Sequence, residues 1–156
     1  MPTVYFLIGV PASGKSTWVE NFILGNDSIV LSTDNYIEDV AKSRGLTYND
    51  VFTAAIKDAE KSLNEALEWG IKFEKNLVWD QTNLNEKNRR KKLSKIPAHY
   101  RKVAVCFPTP DPDEHARRLN NRPGKTIPEF VLKNMISSLA FPDSSEGFDE
   151  IQIIEV

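Results

Sequence analysis

Gly9-Val10-Pro11-Ala12-Ser13-Gly14-Lys15-Ser16 is the stretch on which the reading of this chain turns. It satisfies G-x-x-x-x-G-K-[ST], a phosphate-binding loop pattern. Its flanks suit it. Thr3-Val4-Tyr5-Phe6-Leu7-Ile8 is a short, β-rich apolar run of the kind that forms a buried parallel strand. Thr17 to Leu24 continues as a helix. Such a loop turns successive backbone N–H groups toward phosphate oxygens, and the helix N-terminus adds partial positive charge at the same point. Gly9, Pro11, Ala12, Ser13, Gly14, Lys15, Ser16 and Thr17 are therefore the candidate nucleotide-binding residues. Lys15 is expected to reach the β- and γ-phosphates, and the Ser16 hydroxyl to ligate Mg²⁺.

Outward from the loop, the chain alternates short strands with helices. Ser28-Ile29-Val30-Leu31 is a second strand, followed by Ser32-Thr33-Asp34-Asn35-Tyr36. Ligands of open α/β sheets sit beyond the carboxyl ends of the strands, which places Asp34 near the loop. Asp34 could equally be the N-cap of the next helix. That helix is expected over Tyr36 to Ser43, stopping near Gly45. A longer one, capped by Asn49 or Asp50 and ended by Gly70, carries Val51, Ala55, Ile56, Ala59, Leu63 and Leu67 at helical spacing. Asn76-Leu77-Val78-Trp79-Asp80 is an apolar strand ending in an acid. Asp80 either supports Mg²⁺ or its water ligands, or pins the loop that follows.

Gln81-Thr82-Asn83-Leu84 leads into a basic helix with Lys87, Arg89, Arg90, Lys91, Lys92 and Lys95; Arg101 and Lys102 come just after. The run reads either as a solvated face or as a track for a phosphate backbone. Arg101 to Phe107 is a fourth strand. Asp111 or Asp113 opens a helix that runs out at Asn120-Asn121-Arg122-Pro123-Gly124-Lys125, a basic end suited to a mobile lid over phosphates. Pro128 starts a last helix from Glu129, and Glu150 to Val156 is a final strand. His99 and His115 have no Cys or His at ligand spacing and receive no metal role.

The 156 residues suggest one domain, 1–156. Hydrophobic residues at 40% and charged residues at 27% are ordinary for a globular protein, and a net charge of −2 gives no global pull toward nucleic acid. Cys106 is the only cysteine, so no intramolecular disulfide can form. There is no apolar run long enough to span a membrane, and Met1-Pro2-Thr3 leads straight into a strand. A cytoplasmic chain without a leader is expected. Homo-oligomerisation is left open.

Four blocks together resemble one family. Gly9 to Trp18 (GVPASGKSTW), Ser32 to Tyr36 (STDNY), Asp80 to Arg90 (DQTNLNEKNRR) and Arg118 to Met135 (RLNNRPGKTIPEFVLKNM) occur in order over almost the whole chain. The chain looks like the kinase domain of phage polynucleotide kinase–phosphatases, within the zeta-toxin-like P-loop kinase group. The resemblance implies a three-layer α/β fold with five mainly parallel strands ordered 2-3-1-4-5 and a helical lid. It implies transfer of the γ-phosphoryl group of ATP, with Mg²⁺, to the 5′-hydroxyl end of DNA or RNA. By it, Lys15 is a catalytic residue, Asp34 corresponds to the general base, and Arg122 and Arg118 to the lid arginines; Ser16 and Asp80 serve the metal.

Two positions depart from the family pattern. Ala12 stands where the family has Gly, which implies a site that does not need positive φ. Ile37 stands where the family has an arginine three residues after the base, which bears on acceptor handling. No phosphatase-type nucleophile loop is present. The alternatives are a small-metabolite kinase, with the same loop and base but no need of a basic surface, and a non-catalytic nucleotide-binding module. The Asp-Gln-Thr-Asn stretch also resembles nuclear ribonucleoprotein U-like proteins, which gives the last option its weight.

Overall fold

The computed structural model describes residues 1–155. Five strands form one parallel sheet: β1 (Thr3–Ile8), β2 (Ser28–Leu31), β3 (Asn76–Trp79), β4 (Arg101–Cys106) and β5 (Glu150–Ile153). The order is β2-β3-β1-β4-β5, as the resemblance implies. The last strand is shorter than expected, and Val156 lies outside the described residues. The register brings the strand ends level. Phe6 and Leu31 each face Trp79, and Ile8 faces Cys106. The loops after β1, β2 and β3 therefore leave the sheet side by side.

Alternate residues of the strands feed two cores, as a period of two requires. One face puts Val4, Phe6, Ile8, Leu77, Trp79, Ala104 and Cys106 against Leu63 and Leu67 of α3 (Tyr48–Lys72), with Tyr100 and Phe148 closing the layer. The other face puts Leu7, Val78, Val103 and Val105 against Val19, Trp18 and Phe22 of α1 (Lys15–Ile23). The Trp18 and Phe22 rings stack at 4.7 Å, and Tyr5 meets Phe22 edge-on at 4.7 Å. A third cluster joins α2 (Thr33–Arg44) to α3 through Ile37, Ala41, Val51, Ala55 and Ala59. Among the described residues no helix is long and apolar enough to cross a membrane.

The helix boundaries correct several expectations. α2 begins earlier than Tyr36, because the Ser32 hydroxyl caps it by accepting the amide proton of Asn35. α3 is capped by Thr47, not Asn49 or Asp50; Asp50 instead returns the bond to the Thr47 amide, completing a capping box. The helix also runs through Gly70 to Lys72. α5 (Pro112–Asn120) opens at Asp111, one of the two positions expected, and α6 (Glu129–Ser138) begins where Pro128 predicts.

The basic helix, α4 (Glu86–Leu93), is only partly a surface feature. Arg89 is buried, donating to both oxygens of Glu146 at 2.5 and 3.0 Å and to the Asn83 carbonyl at 2.8 Å. Lys92 donates to Asn83 Oδ1 at 2.5 Å and lies over the Trp79 ring. These two cations hold the loop after β3 in place rather than facing solvent. Lys87, Arg90, Lys91 and Lys95 remain exposed, Arg90 paired with Glu86.

Arg89→Met leaves the Glu146 carboxylate, itself nearly enclosed, without its partner. Breaking one side of such a pair costs about 3–5 kcal/mol, whereas replacing both sides by apolar groups costs far less. Urea unfolding should show that loss for Arg89→Met and a substantial recovery in Arg89→Met/Glu146→Leu. A single-variant loss under about 1 kcal/mol would instead match a solvated pair.

Candidate active site

The phosphate-binding loop is shaped by two left-handed residues. Gly14 has φ 110°, at the cap of α1. Ala12 has φ 61°, so the expectation that alanine there signals an ordinary backbone is wrong. A non-glycine residue in that region carries a steric cost of order 1–3 kcal/mol, and such cost collects at functional loops. Around the loop, α5 packs from above. His115 is buried with Nε2 2.8 Å from the Pro11 carbonyl oxygen, and Arg118 donates to the Ala12 carbonyl.

Pro11 through Thr17, Asp34, Asp80, Arg118 and Arg122 all line one cleft of about 1350 Å³ at the carboxyl ends of the strands. Gly9 is the exception among the expected binding residues. It lies beneath the cleft, and its amide is taken by the Thr82 carbonyl at 3.0 Å.

Lys15 sits at the floor of the cleft, donating to the carbonyls of Gly9 and Val10 at 2.7 and 3.0 Å. Burial pushes its ammonium down to about 8, against the opposing pull of Asp80 and then of Asp34. Burial likewise raises the Asp80 carboxyl above the usual range, with Lys15 as the strongest counterweight. The two are opposite charges in a largely desolvated part of the cleft, each opposing the other's loss of charge. Asp34 lies in the first turn of α2, half exposed, and Ser32 rather than Asp34 caps that helix. The N-cap alternative for Asp34 therefore falls.

A nucleoside triphosphate and its metal fit these residues. Arg122 lines this cleft and its Nη1 has no protein partner, a donor that a phosphate oxygen would satisfy. Among the described residues no group of three or more His, Cys, Asp or Glu is arranged to hold a metal unaided. Mg²⁺ would therefore take Ser16 Oγ, phosphate oxygens and water, with Asp80 behind them.

Several cleft residues carry no distinctive sequence signal. Tyr48 and Glu38 sit on helices whose apolar spacing draws attention to other positions. Lys125 follows a lid arginine and reads as an ordinary surface cation. In the fold Tyr48 and Lys125 meet at Asp34, and Glu38 joins them through Lys125. Ile37 is fully buried between α2 and α3, so the position where the family has an arginine does not face the cleft at all. Substituting arginine there would disrupt the core and would not report on acceptor binding.

Sheet order, loop and lid together define a P-loop kinase fold. A family model described as an AAA domain matches residues 4–142, and the chain belongs to that family. A mouse heterogeneous nuclear ribonucleoprotein U-like protein 2 is 23% identical over 158 residues, covering 95% of this chain. The chain spans only 21% of that relative's length. Among solved structures, a putative kinase from Chloroflexus aurantiacus is similar at TM-score 0.71 and 16% identity, covering 98% of this chain and 87% of that one. The Pnkp1/Rnl/Hen1 RNA repair complex contains a chain similar at TM-score 0.65 and 18% identity, covering 88% of this chain and 44% of that one. A gluconokinase from Sinorhizobium meliloti is similar at TM-score 0.53 and 19% identity, with 98% and 82% covered.

The lowered Lys15 value sets a pH window for nucleotide binding. Its charged form predominates below about 8 and is progressively lost above it. Bound phosphates favour that form, so ATP affinity should weaken with pH above this point, by about tenfold per unit for one linked proton. Kd measured from pH 7 to 10 should show the bend in wild type and none in Lys15→Met. A flat wild-type profile to pH 10 would contradict the placement of Lys15 at the phosphates.

Proposed function

We propose that this chain is an ATP-dependent polynucleotide kinase, transferring the γ-phosphoryl group to the 5′-hydroxyl of a DNA or RNA end. The observation that carries the phosphotransferase reading is the single cleft that collects Lys15, Asp80, Asp34 and Arg122 around the phosphate-binding loop. The polynucleotide acceptor draws support from a neighbouring hollow. On the far side of Glu38, Tyr48, Arg122 and Lys125, which line both, lies a second hollow of about 460 Å³ that also carries Lys42. An acceptor longer than one sugar that displaces Lys125 from Asp34 could extend toward it, among three cations. The relatives linked by name to RNA repair and to ribonucleoproteins agree with this choice.

In the reaction the acceptor oxygen forms a bond to the γ-phosphorus as the bond to the β,γ-bridging oxygen breaks, releasing ADP. Loop amides and Lys15 stabilise the charge that develops on the phosphoryl oxygens. Arg122 closes over the β- and γ-phosphates from the lid, with Arg118 behind it. Asp34 orients the acceptor hydroxyl and receives its proton. Mg²⁺, held through Ser16 and Asp80, would neutralise phosphate charge.

A small hydroxylated metabolite is the second reading, and one observation favours it. Asp34 and Glu38 present two carboxylates on the acceptor side, while the burial of Ile37 leaves no arginine there to meet an acceptor phosphate. The internal roles of Arg89 and Lys92 also shorten the basic track expected on α4.

A panel of acceptors with γ-labelled ATP separates the readings: 5′-hydroxyl DNA and RNA oligonucleotides, a nucleoside 3′-monophosphate, and free sugars and sugar acids. The proposal expects the highest kcat/KM for an oligonucleotide. It also expects Asp34→Asn to fold normally and lose on the order of 10²–10⁴-fold in turnover, the usual contribution of a positioned base. Preferential labelling of a free sugar would give the metabolite reading. ATP binding with no transfer to any acceptor would give the non-catalytic module.

A further inference from the structure

The acceptor side of the cleft is closed by contacts between elements far apart in sequence. Tyr48, at the start of α3, donates its hydroxyl to Asp34 Oδ1 at 2.6 Å. Lys125, on the lid stretch, places its ammonium 3.3 Å from Asp34 Oδ2 and 2.8 Å from Glu38 Oε1. The same ammonium lies 4.6 Å from the centre of the Tyr48 ring. Both oxygens of the proposed base are therefore held by donors.

The lid stretch is fastened where it makes these contacts. The Asn49 amide donates to the Gly124 carbonyl at 2.9 Å, and Asn49 Nδ2 to Thr126 Oγ1 at 2.6 Å. Gly124 has φ 71°, and a Cβ there would stand 2.5 Å from Thr47 Cβ. Only glycine permits this approach, so the position of Lys125 is built into the backbone.

We propose that Tyr48 and Lys125 are positioning residues for phosphoryl transfer: Tyr48 fixes the Asp34 carboxylate through Oδ1, and Lys125 occupies Oδ2 until an acceptor hydroxyl replaces it. The proposal rests on the reading of Asp34 as the base. Glu38, one helical turn along α2, makes the exchange inexpensive, because Lys125 can leave Oδ2 and keep an ion partner. An acceptor brings binding contacts that drive the displacement. Water brings none. Asp34 is half exposed, but its Oδ2 is engaged by Lys125 rather than by an attacking water, so hydrolysis of ATP to ADP and phosphate, with the water proton passing to Asp34, stays slow. The lysine selects the acceptor hydroxyl over water.

The test uses the full chain and two assays. One follows transfer from γ-labelled ATP to the best-used member of the acceptor panel. The other follows phosphate release from ATP without acceptor. Circular dichroism and ATP affinity serve as folding controls for every variant. Tyr48→Phe keeps the ring and removes only the hydroxyl. It should lower kcat for transfer by about tenfold, the effect of one lost bond to a charged group, with KM for ATP unchanged. It should add no further loss in an Asp34→Asn background, because the two act as a unit. Lys125→Met should raise acceptor-free hydrolysis about tenfold, Lys125→Arg should keep it low, and the rise should vanish in Asp34→Asn/Lys125→Met.

An equal loss from Tyr48→Phe in both backgrounds would make Tyr48 a packing residue and overturn the proposal. So would acceptor-free hydrolysis unchanged in Lys125→Met. Inactive Asp34→Asn beside native-like Tyr48→Phe and Lys125→Met would overturn this proposal while leaving the base reading intact. Near-native transfer by Asp34→Asn would remove the base reading and this proposal together.

Discussion

The amide of Gly9 donates to the carbonyl of Thr82, and the side chain of Asn83 donates to the carbonyl of Leu7. These two bonds tie the exit of β1 to the exit of β3, and the cleft depends on them. They fix the phosphate-binding loop relative to Asp80, which leaves the sheet just before Thr82. Asn83 is wholly buried with φ 47°, a conformation its short polar side chain tolerates better than most. Its carbonyl and side-chain oxygen are in turn held by Arg89 and Lys92, and Arg89 by Glu146. A chain of buried polar contacts thus runs from the loop after α6 to the phosphate site. Every member is satisfied, the condition under which such a network rigidifies rather than weakens a fold.

On that frame the charges of the cleft are balanced through the fold. Burial works against the charged forms of Lys15 and Asp80, and the attraction between them works in their favour. The nearby Arg122 guanidinium retains an unpartnered donor. A triphosphate supplies the negative charge this arrangement lacks. The acceptor side has the opposite character: two carboxylates on one turn of α2, answered by a lid lysine. On the proposed reading the lid serves two halves of one reaction, Arg122 acting on the donor and Lys125, three residues on, on the acceptor.

Much of this was legible in the residues. The loop pattern between an apolar strand and a helix announces a parallel α/β sheet, and the resemblance over four blocks supplies the strand order that the structure has. Asp34, Asp80, Arg118 and Arg122 fall in one cleft because each follows a strand or ends a helix at the same edge. The misses have physical causes. A basic run does not reveal which of its cations turn inward, because Arg89 and Lys92 find partners that lie far away in sequence or on a loop. Ile37 reads as a missing arginine until α3 packs on it. Ala12 shows that a loop can impose a left-handed backbone on a residue whose identity argues against it. Tyr48 and Lys125 matter only through a meeting that the turn at Gly124 creates.

The central claim is that loop and lid act on one transferring phosphoryl group. The most direct measurement is single-turnover transfer by Arg122→Ala, with ATP affinity determined in parallel. The account predicts transfer slowed on the order of 10³-fold, as for a cationic clamp on a phosphoryl group, while ATP affinity changes little. A transfer rate equal to wild type would contradict it, because Arg122 would then play no part at the phosphates.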